Sequence, residues 1–389
     1  MQRFETIVLG LGAMGSATTY QLAKQGNRVL GIDRYSPPHV HGSTHGDTRI
    51  TRLGIGEGAH YSPLAMRSHQ IWRELERATG HTLLTANGGL VLSSKAKSSR
   101  SHSDQFFANT VAAAQTYDIP HELWDAGQIR RRFPQFKVAD DESGYFEPDA
   151  GFVRPEACVR VQLELAAQHG ATLHRNERAL AFDANDGGVV VTTDRDNYAA
   201  DRLIVAAGPW LPEFVGPEFA QHLVIYRQVL CWFDIAGPIT PFLPENFPVF
   251  IWELQGKRQG LYGFPAVDGA DGGLKVATEQ YDAPTTPDAV ARQVSGEETG
   301  AIFAEYVEPF LSGLSGRCVK AATCLYTVTP DFGFVIDTLP GADRVIVASP
   351  CSGHGFKHSA AIGEALSQLV IDGASQLDLG AFALKRFHG

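Results

Sequence analysis

The amino-acid sequence predicts an α/β protein in which a mainly parallel α/β domain is joined to a second domain built on a mainly antiparallel β-sheet. Three observations predict this architecture. The N-terminal segment reads as strand, glycine turn, helix and strand; similar elements return later in the chain; and the stretches between them alternate polar and apolar residues. With 389 residues, 44% of them hydrophobic, the chain is long enough to form two domains with sizeable cores.

The N-terminal segment contains the pattern G-x-G-x-x-G between a predicted strand and a predicted helix. In "FETIVLGLGAMGSATTYQLAKQGNRVLGIDRYS", an apolar run precedes Gly10, Gly12 and Gly15, and a helical stretch follows them. Asp33 ends the next apolar run, close to the spacing of roughly 20 residues expected for an acid that binds a ribose hydroxyl. Such glycines permit a tight turn, approach of a pyrophosphate and close helix packing. The segment predicts a dinucleotide site; the alternative is a turn whose glycines serve packing alone.

Elements of a nucleotide site recur further along the chain, which favours a flavin dinucleotide over a nicotinamide one. Residues 197–210 read as a strand that ends in a small-residue turn at Gly208. Near the C-terminus, Asp337 is followed by a strand at 344–349, a glycine-rich loop and a final helix. A nicotinamide domain does not need this many elements. A discontinuous FAD-binding domain of the Rossmann-like, glutathione-reductase type is laid out in this way.

The segments between these elements predict the second domain. Residues 87–148 and 217–318 contain the stretches "GGLVLSS", "YRQVLCWFDI" and "GLYGFPA", whose alternation is typical of antiparallel strands. We expect the two insertions to form a substrate-binding domain. The FAD-binding domain is then expected from residues 1–86, 149–216 and 319–389.

Composition excludes several classes of partner. A formal net charge of −10 argues against nucleic acid or an anionic membrane as a general partner. The sequence has no apolar run long enough to cross a bilayer, and its N-terminus lacks the features of a signal peptide. Five cysteines, an odd number scattered along the chain, fit a reducing compartment better than a disulfide framework. We therefore expect a cytoplasmic protein.

The polar stretch "HGSTHGDTRITR" at residues 41–52 follows neither a strand nor a helix period, and so it predicts a functional loop. Three histidines in and beside it raise the alternative of a metal site. Gly42 and Gly46 interrupt any helical face, and no cysteine or acid completes a tetrahedral set. We therefore expect no metal.

Five motifs follow one another along the chain: "PPHVHGSTHGDTRITR", "YGFP", "GGLKV", "CLYTVTPDFGFVID" and "SGHGFK". With these motifs in this order, the chain resembles the monomeric sarcosine oxidase family over essentially its whole length. That family includes N-methyltryptophan oxidase and lies within the glycine-oxidase-like FAD amine oxidases. The resemblance implies oxidation of sarcosine or a related N-methyl amino acid to an imine, with O2 reduced to hydrogen peroxide. Hydrolysis of the imine would release formaldehyde and the demethylated amino acid.

The resemblance also implies a covalent FAD, attached by a thioether from the flavin 8α-methyl group to Cys324 in "CLYT". Without the motif, Cys324 would read as a buried, unreactive residue. Cys318 reads as core, while a reactive role for Cys351, beside the glycine-rich loop, stays open. The amides of that loop are expected to begin the last helix and to face the flavin. Together, the fingerprint and the resemblance predict cofactor contacts from Gly10, Gly12, Ala13, Met14, Gly15, Asp33, Arg34, Ser43, Thr44, Thr48, Gly208, Cys324, Asp337, Gly353, His354, Gly355, Phe356 and Lys357.

Two cationic residues match those that bind the substrate carboxylate in the family. They are Arg52, whose guanidinium fork suits two carboxylate oxygens, and Lys357. Glu57 is expected to hold Arg52 in position, and Lys275 in "GGLKV" matches a lysine that activates oxygen. Catalytic roles are implied for Lys275, Arg49, His45 and Tyr262, and substrate contacts for Arg52, Lys357, Tyr326 and Glu279.

One position departs from the family pattern. Where the family usually carries a histidine, four residues after the "GGLKV" lysine, this chain has Glu279, which puts the substrate range in doubt. Three alternatives to an N-methyl amino acid oxidase stay open: an oxidase of a cyclic secondary amino acid, a dehydrogenase that feeds a partner, and a non-catalytic binding subunit. The family resemblance favours a monomer.

Overall fold

The computed structural model describes residues 1–99 and 103–387. Helices and strands alternate through the first third of the chain, and strands dominate its middle. The helices are α1 (Ala13–Lys24), α2 (Ser62–Thr79), α3 (Phe106–Thr116), α4 (Ala126–Arg132), α5 (Pro155–Gln168), α6 (Pro217–Ala220), α7 (Gly296–Ile302) and α8 (Ser359–Ile371). The strands are β1 (Gln2–Leu9), β2 (Val29–Asp33), β3 (Arg49–Thr51), β4 (Leu84–Ala86), β5 (Gly89–Ser93), β6 (Glu122–Asp125), β7 (Ser143–Glu147), β8 (Gly151–Val153), β9 (Thr172–Arg175), β10 (Ala179–Asn185), β11 (Gly188–Thr193), β12 (Asn197–Val205), β13 (Val224–Ile235), β14 (Val249–Trp252), β15 (Leu261–Gly263), β16 (Leu274–Thr278), β17 (Pro284–Thr285), β18 (Leu314–Val328), β19 (Val335–Leu339) and β20 (Ala342–Ser349).

The first sheet has the order β10-β11-β12-β1-β2-β9, with β20 also paired to β12 and β19 paired to β20. The pairs β1–β2, β1–β12, β2–β9 and β12–β20 are parallel, as the sequence predicted for the first domain. Strand β1 is apolar on both faces because both faces are covered. Val8 packs toward α1 and α8, whereas Ile7 and Leu9 belong to the core on the other face.

The glycine fingerprint forms the predicted turn between β1 and α1. Gly10 has a φ of 84°, a left-handed conformation that favours glycine. A Cβ on Gly15 would lie 1.7 Å from the carbonyl oxygen of Gly10, so a side chain there would push the helix off the turn. These two glycines therefore bring the start of α1 close against the end of β1.

The second sheet, ordered β17-β13-β16-β15-β14-β5-β7-β6 with β18 also paired to β13, is antiparallel except for the parallel pair β14–β5. It contains the three alternating stretches predicted to be strands. Strand β18 runs without interruption from Leu314 to Val328, so the domain boundary expected between 318 and 319 falls inside a strand of the second sheet. The division into two domains stays a prediction, with its last boundary moved toward the end of β18.

A small sheet of order β3-β8-β4 contains strand β3, which carries the end of the polar loop. The last helix starts later than expected. Residues Phe356–His358 form a 3-10 turn and α8 begins at Ser359, so the glycine-rich loop precedes the helix instead of forming its first turn. In the described part of the chain, no helix combines the length and the apolarity that a membrane span requires.

Candidate active site

A cavity of about 1300 Å³, its open mouth included, lies at the carboxyl ends of the parallel strands. Leu9, Asp33 and Ser349 end three of these strands and line it, as does Ala206, which follows β12. Ligands of parallel α/β sheets bind at this edge. The predicted residues that line the cavity are Gly10, Gly12, Ala13, Met14, Asp33, Arg34, Ser43, Thr44, Arg49, Gly208, Tyr326, Gly353, Gly355 and Phe356.

The wall of this cavity is suited to a dinucleotide. Gly12 leaves the start of α1 uncovered, because the nearest atom to an added Cβ is the Thr44 hydroxyl oxygen at 3.5 Å. The hydroxyls of Ser43 and Ser349, which line the cavity, are buried and have no hydrogen-bond partner among the described residues. Buried hydroxyls are normally paired, so both are available to a polar ligand.

Asp33 is held rigidly at the cavity wall. One carboxylate oxygen accepts a hydrogen bond from the backbone N–H of Leu11 at 2.8 Å, and the other accepts one from Tyr35 N–H, also at 2.8 Å. His39 Nε2 lies 3.5 Å from the second oxygen. The acid predicted to contact a ribose therefore also links the first turn to the loop after β2.

A second cavity, of about 760 Å³ with its opening included, adjoins the first. The two share four lining residues, Arg49, Tyr326, Gly353 and Phe356. Its other lining residues are Ile50, Arg52, Glu57, Phe106, Ile251, Gly260, Leu261, Tyr262, Phe264, Lys275, Glu279, His354 and Lys357. A ligand in the second cavity would therefore lie next to a ligand in the first, at these four residues.

Arg52, Glu57 and Lys357 form a buried ionic cluster in the second cavity. Arg52 Nη2 lies 2.5 Å from Glu57 Oε2, as the sequence predicted, and Lys357 Nζ lies 3.4 Å from Glu57 Oε1. The Arg52 guanidinium also stacks over the Phe106 ring at 4.9 Å. Burial lowers the pKa of Lys357 to about 8, and the charge of Glu57 acts in the opposite direction. Two basic groups and one acidic group thus face this part of the cavity.

Arg49 lies where the two cavities meet. Its Nη2 donates to the carbonyl oxygen of Ser43 at 2.9 Å and lies 3.4 Å from Cys324 Sγ. Cys324 is buried on β18 and does not line either cavity, but its sulfur lies 3.4 Å from Ser43 O, at the cavity wall. Cys351 lines the first cavity directly, and burial raises the pKa of its thiol.

Lys275 is buried beside the same junction. Its ammonium donates to the carbonyl oxygens of Gly46 and Thr48 at 2.6 and 2.8 Å, and its Nζ lies 4.3 Å from the centre of the Phe264 ring. Burial lowers the pKa of Lys275 well below its usual value, and the charge of Arg49 lowers it further. Lys275, the residue predicted to act on oxygen, also lines the second cavity from strand β16 of the antiparallel sheet.

Two tyrosines and an acid complete the polar part of the wall. The hydroxyls of Tyr262 and Tyr326 lie 3.3 Å apart. Burial raises the pKa of both tyrosines, and the charge of Glu279 acts in the same direction. Glu279, which lines the second cavity, therefore makes the electrostatic potential there more negative.

Some predicted residues lie away from the cavities. Asp337 accepts hydrogen bonds from the backbone N–H groups of Thr338 and Leu384, and it lines neither cavity, so a cofactor contact there has no support from the geometry. Gly15 serves helix packing. His45 lies behind the wall, and its pKa falls to about 3 through burial and the nearby charges of Arg49 and Lys275.

Thr48 also lies behind the wall, where it holds Lys275 through its carbonyl oxygen. Sequence reasoning missed the apolar walls formed by Phe106, Ile251 and Phe264, since buried apolar residues in strands and helices carry no functional pattern. It also missed two structural acids, Glu147 and Glu156, which accept hydrogen bonds from backbone N–H groups just after and within the polar loop, respectively.

Comparison with known proteins gives relatives over the whole chain. Residues 5–369 match the DAO family model, described as FAD dependent oxidoreductase. A monomeric sarcosine oxidase of Streptomyces avermitilis is 38% identical over 384 residues, which cover 98% of this chain and 97% of that protein. An N-methyl-L-tryptophan oxidase of Yersinia pestis is 35% identical over 386 residues, covering 99% of each.

The fold comparison agrees. NikD, an unusual amino acid oxidase essential for nikkomycin biosynthesis, has a TM-score of 0.83 to this chain at 22% identity, with 98% of both chains covered. The resemblance drawn from the five motifs is confirmed: the chain belongs to the DAO family of FAD-dependent oxidoreductases, among relatives named monomeric sarcosine oxidase and N-methyl-L-tryptophan oxidase.

Proposed function

We propose that the protein oxidises sarcosine or a related N-methyl amino acid to an imine and reduces O2 to hydrogen peroxide. Hydrolysis of the imine gives formaldehyde and the demethylated amino acid. FAD, when bound along the first cavity, supplies the two-electron acceptor for the amine and the donor for oxygen. The remaining steps depend on residues of this chain.

The observation that carries the proposal is the buried cationic pair in the second cavity. Arg52 and Lys357 face a space that adjoins the dinucleotide cavity, and buried cations of this kind bind a carboxylate with charge-assisted hydrogen bonds. Nε of Arg52 is buried without a hydrogen-bond partner among the described residues, so one donor of the guanidinium is available. Glu57 fixes the pair from one side and leaves its net charge positive. An amino acid held by its carboxylate here would direct its amine toward the junction of the cavities.

Positive charge at this junction suits oxidation of an amine, which must lose its extra proton before it gives up hydride. Arg49 and Lys275 are both buried there, and each lowers the pKa of His45. The same field disfavours an ammonium group on a bound substrate. The cavity therefore favours the neutral form of the substrate amine. At the same time Arg52 and Lys357, together called the carboxylate clamp, bind the substrate carboxylate.

We assign oxygen reduction to Lys275. Burial and Arg49 disfavour the charge on Lys275, but the two backbone carbonyls that accept from its ammonium stabilise the charged form and fix its position. A charge fixed in this way needs no reorganisation when negative charge develops on oxygen. Its position in the lining of the second cavity, beside Arg49, supports this role.

We also propose that FAD is attached to Cys324 by a thioether. The Cys324 sulfur lies 3.4 Å from the carbonyl oxygen of Ser43, a residue of the cavity wall, and 3.4 Å from Arg49 Nη2, and positive charge beside a cysteine promotes its reactivity as a nucleophile. Linkage takes one hydrogen from the thiol and one from the flavin methyl group, and the two electrons pass to O2 to give hydrogen peroxide. Acid precipitation tests the proposal: a pellet that stays yellow in the wild type and in Cys351→Ala, but turns colourless in Cys324→Ala, is expected. A yellow Cys324→Ala pellet would contradict the assignment.

The reaction itself is tested by mixing the protein anaerobically with sarcosine, N-methyl-L-tryptophan or L-pipecolate and following flavin bleaching. We expect bleaching by an N-methyl amino acid, and stoichiometric formaldehyde and hydrogen peroxide when air is admitted. The methyl ester of the same substrate should bleach the flavin poorly, since it lacks the anion. Equal rates for ester and acid would refute the carboxylate clamp. Preference for pipecolate would favour a cyclic secondary amino acid, for which the apolar walls also leave room.

We further propose that the protein acts as a monomer in the cytoplasm. A relative that is 38% identical to this chain, over 97% of its own length, is named monomeric sarcosine oxidase. Light scattering after size-exclusion chromatography should give a mass near 42.1 kDa, and a dimer mass would contradict the proposal.

A further inference from the structure

The backbone that receives the Lys275 ammonium is held by a carboxylate outside the cavities. Glu156, in the first turn of α5, accepts hydrogen bonds from the backbone N–H groups of Gly46 at 2.6 Å and Asp47 at 3.1 Å, both on Oε1. The carbonyl oxygens of Gly46 and Thr48 in turn accept from the Lys275 ammonium. The position of this charge therefore depends on a loop that Glu156 fixes.

The other end of the same segment is held by a second carboxylate. Glu147 is fully buried at the end of β7 and accepts hydrogen bonds from Leu53 N–H on Oε1 at 2.7 Å and from Gly54 N–H on Oε2 at 3.0 Å. The Tyr145 hydroxyl donates to Oε2 at 2.8 Å. Gly54 O accepts from the Arg52 guanidinium, so Glu147 fixes the backbone on which Arg52 rests.

We propose that Glu156 and Glu147 are positioning residues that serve different halves of the reaction. Glu156 places Lys275 for the reduction of oxygen, and Glu147 places Arg52 for the binding of substrate. Neither acid lines the second cavity, so each acts through backbone amides and not by contact with a substrate. Glu156 holds amides of the polar loop, and Glu147 holds the two amides that follow it. The inference rests on the proposed function for its roles, but the two anchoring contacts can be tested without substrate.

The two acids use their oxygens differently, which predicts different responses to glutamine. Both amides bound by Glu156 share Oε1, and a glutamine keeps one acceptor oxygen, so Glu156→Gln can retain both hydrogen bonds. Glu147 uses one oxygen for each amide. In Glu147→Gln one of these oxygens becomes an NH2 donor that faces an N–H, and that amide is left unpaired.

The first measurement is hydrogen–deuterium exchange of the purified flavoprotein, which reports amide protection without turnover. We expect Glu156→Ala to speed exchange at residues 46–47 by at least tenfold and to leave 53–54 unchanged. Glu147→Gln should show the reverse pattern. Glu164→Ala, which removes an exposed carboxylate from the same helix as Glu156, is the matched control and should change neither segment.

The second measurement separates the half-reactions in a stopped-flow instrument. Reoxidation by O2 is measured after photoreduction, which needs no substrate, so its outcome is independent of whether sarcosine is the right substrate. We expect Glu156→Ala to slow reoxidation by at least tenfold with less than a twofold change in substrate Kd, and Glu156→Gln to show a smaller loss. Glu147→Gln should raise the substrate Kd by at least tenfold and change reoxidation by less than threefold.

If either variant showed similar losses in reoxidation by O2 and in substrate binding, its role would be merely structural and the proposal would be overturned. Reoxidation of Glu156→Ala at the wild-type rate would also overturn it. If Glu147→Gln fails to fold, Tyr145→Phe replaces it, because loss of the hydroxyl that donates to Oε2 loosens the Glu147 carboxylate and weakens its hold on the amides of Leu53 and Gly54. A substrate Kd raised about twofold to fivefold, with unchanged reoxidation, is then expected, and an unchanged Kd would refute the role of Glu147. Failure of every N-methyl amino acid to reduce the wild type would instead refute the proposed function.

Discussion

Replacing Lys275 with methionine tests the division of labour in the site most directly. Methionine keeps most of the length and apolar volume of the side chain, so its contact with the Phe264 ring can persist while the charge is lost. The carbonyl oxygens of Gly46 and Thr48 lose their ammonium donor, which costs stability but leaves the rest of the loop in place. We expect the variant to fold and to keep its flavin.

The size of the effect follows from the charge. A unit charge about 6 Å from a developing superoxide anion, at an effective dielectric constant of about 20, contributes about 2.8 kcal/mol. A barrier raised by about 2.7 kcal/mol slows a reaction about a hundredfold. Arg52 and Lys357 still bind the substrate carboxylate in the variant, and Arg49 still supplies positive charge beside the amine, so oxidation of the amine should slow much less.

The assay follows anaerobic reduction by substrate and reoxidation by air separately in a stopped-flow instrument. Reoxidation of Lys275→Met should fall at least about a hundredfold, and an artificial electron acceptor should restore turnover. Lys320→Met is the matched control, because Lys320 packs against the other neighbour of Lys275, the Trp232 ring, and is half exposed in an ion pair with Asp47. Reoxidation of Lys275→Met at the wild-type rate, or equal losses in both lysine variants, would refute the assignment.

Three further predictions concern substrate binding. Arg52→Ala should raise KM by about tenfold to a hundredfold, through loss of a charge-assisted contact of roughly 1.5–3 kcal/mol, and an unchanged KM would contradict the clamp. Because the pKa of Lys357 is lowered to about 8, mainly by burial, its charge is present below that pH and is lost above it. The inhibition constant of butyrate, a carboxylate without an amine, should therefore rise between pH 7 and pH 9.5 in the wild type and stay level in Lys357→Met. Glu279 should disfavour a second carboxylate on the substrate, since like charges a few ångströms apart repel by about 1–4 kcal/mol. Turnover of N-methylaspartate as fast as that of sarcosine would contradict this prediction. An unchanged order of substrate preference in Glu279→His would contradict it as well.

The fold was predictable where the signal is local. Gly10, Gly12 and Gly15 specify a tight strand–helix turn through their own lack of side chains, and the structure has that turn. Apolar runs and alternation predicted parallel and antiparallel strands, because each pattern reflects how many faces of a strand are covered. The extent of strand β18 was not predictable. Strand β18 continues past residue 318 because it pairs with β13 along most of its length. Pairing with a distant strand produces no recognisable residue pattern at the position where a strand ends.

The site was predictable only in part, because its residues are far apart in sequence. The motifs named Arg52, Lys275 and Lys357, and the tertiary structure decided that all three line one cavity. It also placed Glu57 between Arg52 and Lys357 and left Asp337 outside the site.

By itself, the sequence determined the family, the dinucleotide turn and the identity of the charged groups, since these depend on residue type and short spacing. The tertiary structure alone decided which backbone each charge rests on. Glu156 lies more than a hundred positions from Gly46, and no local pattern relates a helix acid to two distant amides. Long-range contacts of this kind form only when strands and helices pack. For that reason the sequence could name the groups that carry charge, and only the folded chain could show what holds them in place.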